Sequence, residues 1–305
     1  MKHIKKNGVF QAFIAAFLFS ASAPLSKLLL NGISPIMLAG LIYFGSGIAL
    51  LTIKGVKILL NKQQLNNDFN RREILYLIGS VLIGGVIAPI ILMISLKNSP
   101  AATASLLLNF ECVSTTFLAF LFFREKIGKR IWISVFLITV ASILLTIDLK
   151  DNWGFSLGSV GIIFASILWG LDNNFTRNIS EKDPLTIVGI KGLGAGIISI
   201  VISRIYNNPI PVMNNILLAM LLGLFCYGLS IVSFVLALRR LGSSRTSIIF
   251  GTAPFIGVIV SFLIFKEIPN IYFFISLPLM IYGTYLMLTE NYELQKKAIS
   301  HSSLQ

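Results

Sequence analysis

Three charged side chains stand in stretches of sequence that are otherwise apolar: Glu111, Asp172 and Lys191. A charge near the centre of a membrane-crossing helix costs roughly 2.5–3.5 kcal/mol on insertion scales, so such residues are functional candidates by default. Two kinds of chemistry fit them. A carboxylate kept from water can load and release a proton near neutral pH, and a lysine at such a depth can bind an anionic group. At a helical rise of about 1.5 Å per residue, Glu111 lies roughly 16 Å past Pro100, near the midplane of a bilayer, and Lys191 roughly 10 Å past Pro184. Asp172 precedes Arg177 by five residues, which puts it at a depth comparable with Lys191. One arrangement is an Asp172–Lys191 ion pair, which leaves Glu111 as the proton site. The other pairs Lys191 with Glu111 and gives that place to Asp172.

Uncharged polar residues extend the candidate pathway. Asn173 follows Asp172, and Ser105, Asn109, Cys112 and Thr116 recur as a stripe along one run. A later run carries Ser247, Gly251, Pro254 and Val258 in the same pattern. Asn173, Asn109, Ser105 and Ser247 therefore join the three charges as candidates for the substrate or proton pathway. Glu111 itself lies roughly 100–150° around the helix from most of its stripe. Gly40 and Gly47, and again Gly189 and Gly196, form small faces suited to close helix packing. Other chemistries lack their residues. His3 and His301 lie in the tails, and Cys112 and Cys226 lie inside apolar runs. No zinc site, Ser-His or Cys-His arrangement, or HExxH pair can be assembled from these. No metal, cofactor or catalytic residue is expected.

These residues need membrane-crossing elements to hold them. Of 305 residues, 55% are hydrophobic and only 12% are charged, and mean hydropathy is +0.85. A soluble domain carries about 25% charged residues. The apolar residues fall into ten runs near 9–29, 34–53, 74–95, 101–123, 131–147, 157–176, 185–203, 214–238, 243–265 and 270–289. Each is close to the roughly 20 residues that cross a bilayer as helix. Ala21-Ser22-Ala23 resembles a signal-peptidase site, but the apolar pattern continues past Pro24. The net charge of +13 would suggest nucleic acid in a soluble chain; here Lys and Arg lie between the runs, 19 on one side and five on the other, with Lys191 inside a run. That bias places both termini in the cytoplasm. Gly84, Gly85 and Pro89, and Gly223 and Gly228, should weaken the regularity of their helices.

The two halves of the chain match. Gly8, Ala15, Leu18 and Lys27 correspond to Gly158, Ala165, Leu168 and Arg177; Pro35, Gly40, Gly45 and Gly47 to Pro184, Gly189, Gly194 and Gly196. A third block, from Leu96-Lys97 to Arg124-Glu125, corresponds to Leu238-Arg239 through Lys266-Glu267. Five runs per half is an odd number, so the halves must cross in opposite directions. Inverted repeats of this kind are typical of secondary transporters, with the substrate held near the midplane between the halves.

Two five-span repeats, the Phe19-Ser20 and Trp169-Gly170 steps, and the Phe-Arg-Glu (123–125) and Phe-Lys-Glu (265–267) ends resemble the EamA family of the drug/metabolite transporter superfamily. The resemblance covers nearly the whole chain and implies alternating access without a nucleotide-binding module. One departure is Glu111-Cys112, in span 4, at the level where span 9 has the family's common proline as Pro254. The expectation is an all-α integral membrane protein of ten transmembrane helices, arranged as two inverted five-helix repeats over residues 1–150 and 151–305. It would be a secondary active transporter, proton-coupled, of a small polar metabolite: an amino acid, a nucleotide-type metabolite or a drug-like compound. The alternatives are an uncoupled facilitator or exchanger, and a membrane-embedded enzyme. The expected partners are a small-molecule substrate and the bilayer of the cytoplasmic (plasma) membrane, and no nucleic acid. A monomer suffices, and a homodimer is compatible.

Overall fold

The computed structural model describes residues 2–61, 69–123, 127–147, 155–179, 182–241 and 249–302. Helices α1 (Lys2–Ser20) and α2 (Ser22–Leu29) form one segment broken at Ala21. After α3 (Pro35–Asn61), α4 (Arg71–Gly79) runs through a π-helical turn, Ser80–Ile87, into α5 (Ala88–Lys97). Helices α6 (Ala101–Leu107) and α7 (Phe110–Phe123) form a second broken segment, followed by α8 (Lys129–Thr146), α9 (Leu157–Asn178) and α10 (Pro184–Ile205). Then α11 (Met213–Leu222) passes through a π turn, Gly223–Leu229, into α12 (Ser230–Leu241), and α13 (Ala253–Phe265) and α14 (Ile271–Ser302) complete the order. Strands are absent among the described residues apart from an isolated bridge, Ile147–Phe155.

Local chemistry sets many of these boundaries. Asn70 and Glu73 close a reciprocal capping box on α4, and Asp183 caps α10 with Pro184 at its start. Pro89 stands directly after the π turn, inside the continuous Arg71–Lys97 helix, and withholds one backbone N–H from it. The glycines expected to loosen two helices lie in the π turns: Gly84 and Gly85 in the first, Gly223 and Gly228 in the second.

Among the described residues, seven segments are long and apolar enough to cross a membrane: Gly8–Leu29, Pro35–Leu60, Arg71–Lys97, Ala101–Phe122, Lys129–Thr146, Pro184–Ile205 and Met213–Phe234. Ala253–Phe265 and Ile271–Met287 are shorter apolar helices. The 22-residue α9 falls outside the seven because Asp172, Asn173, Asn174, Arg177 and Asn178 make its end polar. Seven of the expected ten spans thus have the length and composition of membrane-crossing helices.

The most extensive contact is between α3 and α10, and here Gly40, Gly47 and Gly196 meet the opposite backbone. A methyl group on Gly40 would come within 2.9 Å of the Ile200 nitrogen, and one on Gly196 within 2.6 Å of the Phe44 Cα. Gly47 faces Gly192, and Gly189 lies against Leu51. Further pairings join α8 with α14, α6 with α13, α1 with α12, and α9 with both α5 and α7. The first π turn packs on α10 and the second on α3. Buried hydroxyls stitch helices together: Ser134 donates to the Gly283 carbonyl (2.6 Å), Ser276 to Ala141 (3.0 Å) and Ser230 to Ala15 (2.9 Å). The main apolar core runs through α3, α5 to α11, α13 and α14, and a separate small cluster joins Leu77, Ile179 and Ile187. Phe10, Phe13 and Phe17 of α1 and Phe136 of α8 point outward, as lipid-facing residues do.

Candidate functional site

Glu111 owes its position to a break. The chain between α6 and α7 turns tightly at Leu108-Asn109, where the N–H groups of Asn109, Glu111 and Cys112 each reach back three residues. Glu111 therefore lies in the first turn of α7, facing α9. Its Oε1 accepts a hydrogen bond from the Asn173 side-chain amide at 2.7 Å, and the same amide nitrogen is 3.1 Å from the Thr115 hydroxyl. Among the described residues Glu111 forms no ion pair.

Asp172 is on the other side of α9, one residue and about 100° away. It is 4% exposed and ion-paired with Lys191 of α10, which donates to Oδ2. Oδ1 accepts from the Ser80 hydroxyl at 2.5 Å and from Thr176 at 3.4 Å. Gly84 makes room for this pair, since a methyl group there would overlap the Asp172 carboxyl. The π turn also leaves the Gly84 carbonyl open to two outside donors, the Tyr43 hydroxyl (3.1 Å) and the Trp169 indole N–H (3.0 Å). Of the two pairings open from the sequence, the structure has Lys191 with Asp172.

Aromatic rings line the neighbouring space. Tyr43 and Tyr227 are 5.6 Å apart between ring centroids, Phe19 stands edge-on to Tyr227 at 6.2 Å, and Phe250 lies 5.4 Å from Phe19. Through its bond to the Gly84 carbonyl, Tyr43 borders the Asp172 side of α9. Carboxylate and ring faces together can hold a cationic group by charge and cation–π attraction, and a flat ring by stacking.

The remaining sequence candidates separate. Asn109 donates to the Thr284 hydroxyl at 2.7 Å, and Ser105 to its own helix at Ala101 (2.9 Å), with Ser261 3.3 Å away. Both bind helices to each other, away from Glu111. Ser247 and Glu125 lie outside the described residues. Ser80, Thr115, Tyr43 and Tyr227 went unseen in the sequence. They are neutral, and the one cue to Ser80 was the pair of glycines that follows it.

The sequence pattern of the EamA-like transporter family matches residues 6–147 and again residues 156–289. The chain belongs to this family. It is accordingly a multi-pass membrane transporter. A relative from Methanothermobacter thermautotrophicus, described only as an uncharacterized transporter, is 26% identical over 92% of this chain and 85% of its own length. An S-adenosylmethionine/S-adenosylhomocysteine transporter from Chlamydia muridarum is 24% identical over 80% of each chain. A Clostridium kluyveri uncharacterized transporter is 22% identical over 96% of this chain and 95% of its own. A solved crystal structure superposes on this EamA-like chain with a TM-score of 0.64 at 17% identity, over 92% of this chain and 94% of that one, a likeness of fold alone.

Proposed function

We propose that this EamA-like protein is a secondary active transporter that carries a small metabolite by alternating access and a proton on Glu111. The observation that carries this reading is the contrast between two carboxylates about one helix apart. Asp172 is neutralised by direct contact with Lys191, whereas Glu111 is bonded to an amide beside a hydroxyl, is in direct contact with no cation among the described residues, and feels Lys191 only together with its partner Asp172. A carboxylate so placed exchanges protons at a small structural cost, because Asn173 can bond either form.

The supporting frame is a pair of inverted repeats, residues 1–150 and 151–305, with α9, α13 and α14 completing ten spans. Several contacts favour it. Matching helices pair with each other (α3 with α10, α6 with α13, α8 with α14), and each half's π turn packs on the opposite half's second span. Two separate matches to one family pattern point the same way. The bias of basic loops favours cytoplasmic termini in the plasma membrane. A substrate with a cationic group and a flat ring suits Glu111 and the rings of Tyr43, Tyr227 and Phe19. S-adenosylmethionine and S-adenosylhomocysteine are therefore the first compounds to try, given the name of the chlamydial relatives.

In proteoliposomes, uptake of labelled S-adenosylmethionine should respond to an imposed pH gradient, and Glu111→Gln should remove that response while the protein remains folded. Flux that follows the gradient equally in wild type and Glu111→Gln would overturn the proton role. Flux indifferent to the gradient in the wild type would favour the uncoupled exchanger.

A further inference from the structure

Away from the Glu111 site, two carboxylates are held in place by their own helices. Glu73 sits in the first turn of α4, where its Oε2 accepts the Asn70 N–H at 2.7 Å. Asp183 caps α10, accepting from the Thr186 N–H at 3.2 Å and hydroxyl at 2.7 Å. Each is then bound by a lysine from the other half of the chain. Lys182 Nζ is 3.2 Å from Glu73 Oε2, and Lys54 Nζ is 3.7 Å from Asp183 Oδ2. Lys54 also donates to the Thr186 hydroxyl, and Lys182 lies over the Phe69 ring, 5.6 Å from its centroid. The four side chains are 13–23% exposed. They lie at one end of the molecule, at the end of α3 and the starts of α4 and α10.

One helical turn further along each helix is apolar. Leu77 follows Glu73 by four residues and Ile187 follows Asp183 by four, and with Ile179 they form the small separate cluster that also gathers Phe69 and Tyr76. Tyr76 in turn meets Phe175 of α9 at 6.1 Å. This is a second inter-half contact, split off from the main core. The same two helices lead straight into the site. Ser80 is seven residues past Glu73 on the α4 segment, and Lys191 is eight residues past Asp183 on α10.

We propose that the reciprocal Lys54–Asp183 and Lys182–Glu73 staples, with the Leu77–Ile179–Ile187 plug beside them, form the gate of this face: closed in the present conformation and broken each time the face opens. The proposal rests on the alternating-access reading. Opening the gate moves α4 against α10, and so moves Ser80 and Lys191 relative to Asp172.

The test uses charge removal that spares the helix caps. Gln replaces Glu in a capping box and Asn replaces Asp as an N-cap, so Glu73→Gln with Asp183→Asn breaks both staples with both helices still capped. The exposed Cys112 serves as reporter, with Cys226 buried. In proteoliposomes, labelling of Cys112 by a membrane-impermeant thiol reagent applied from the gate face should rise at least threefold in this double variant. Lys54→Met with Lys182→Met removes the same pairs from the other side and should give the same rise. An unchanged labelling rate in either double variant, with the protein still monodisperse in detergent, overturns the gate. Flux is read separately in the same vesicles. Faster labelling in both double variants supports the gate even where no tested compound is transported, whereas wild-type flux with unaltered labelling keeps the transporter reading and discards the gate.

Discussion

Lys191 and Asp172 are each costly alone and tolerable together. Removing one partner from a buried pair typically costs about 3–5 kcal/mol, because the other charge is left unmatched, while replacing both by neutral groups is often close to neutral. Lys191→Met alone should therefore lower the thermal stability of the purified protein sharply, and Asp172→Asn in the same chain should restore most of it. Equal stability in single and double variants would show that water reaches the pair. Charge is also what made this site readable from sequence. Glu111, Asp172 and Lys191 stood out because charge inside an apolar run is expensive, and Asn173 was found by adjacency. Ser80, Tyr43 and Tyr227 carry no such cost in a membrane helix, and only packing reveals that they converge there. Asn109 and Ser105 illustrate the converse. Their stripe was visible, yet the helix break at Leu108-Asn109 turns Asn109 toward Thr284 and leaves Ser105 beside Ser261.

At the scale of the helix, small residues do structural work that a hydropathy profile hides. The α3–α10 seam puts backbone against backbone at Gly40, Gly47, Gly192 and Gly196. Gly47→Leu would force the two helices apart, and the variant should purify with a markedly lower melting temperature and little uptake. Gly84→Ala is the finer probe: the added methyl group overlaps Asp172, so transport should fall severalfold with a smaller loss of stability, measured by the same uptake and melting assays. The glycine faces were legible in the sequence because they recur in both halves. The breaks were legible only as weakness. Gly84, Gly85, Gly223 and Gly228 announced irregular helices, but nothing local distinguishes a kink from a π turn. The end of α9 is polar because Asp172 is held by Lys191, Asn173 by Glu111, and Asn174 and Asn178 by backbone carbonyls.

For the whole molecule, pairings between helices of the two halves provide a large inter-half contact surface. Residues 1–150 and 151–305, expressed as separate polypeptides in one cell, should co-purify and retain uptake, while either alone should be degraded or aggregate. Failure to associate would mean that the halves depend on their covalent connection. The two π turns add a condition of a different sort. A π turn carries one residue more than the α-helix it interrupts, and its wider coil absorbs that residue, so the helix beyond it keeps its phase. Deleting a single residue within Gly223–Leu229 would let that helix close into regular α geometry with Ser230 still facing the Ala15 carbonyl it now reaches. The same deletion in the regular part of α12 would turn everything beyond it by about 100°. Each half thus carries a one-residue surplus that an alignment can gap at the π turn, and nowhere else in that helix, without misassigning the facing side of the rest.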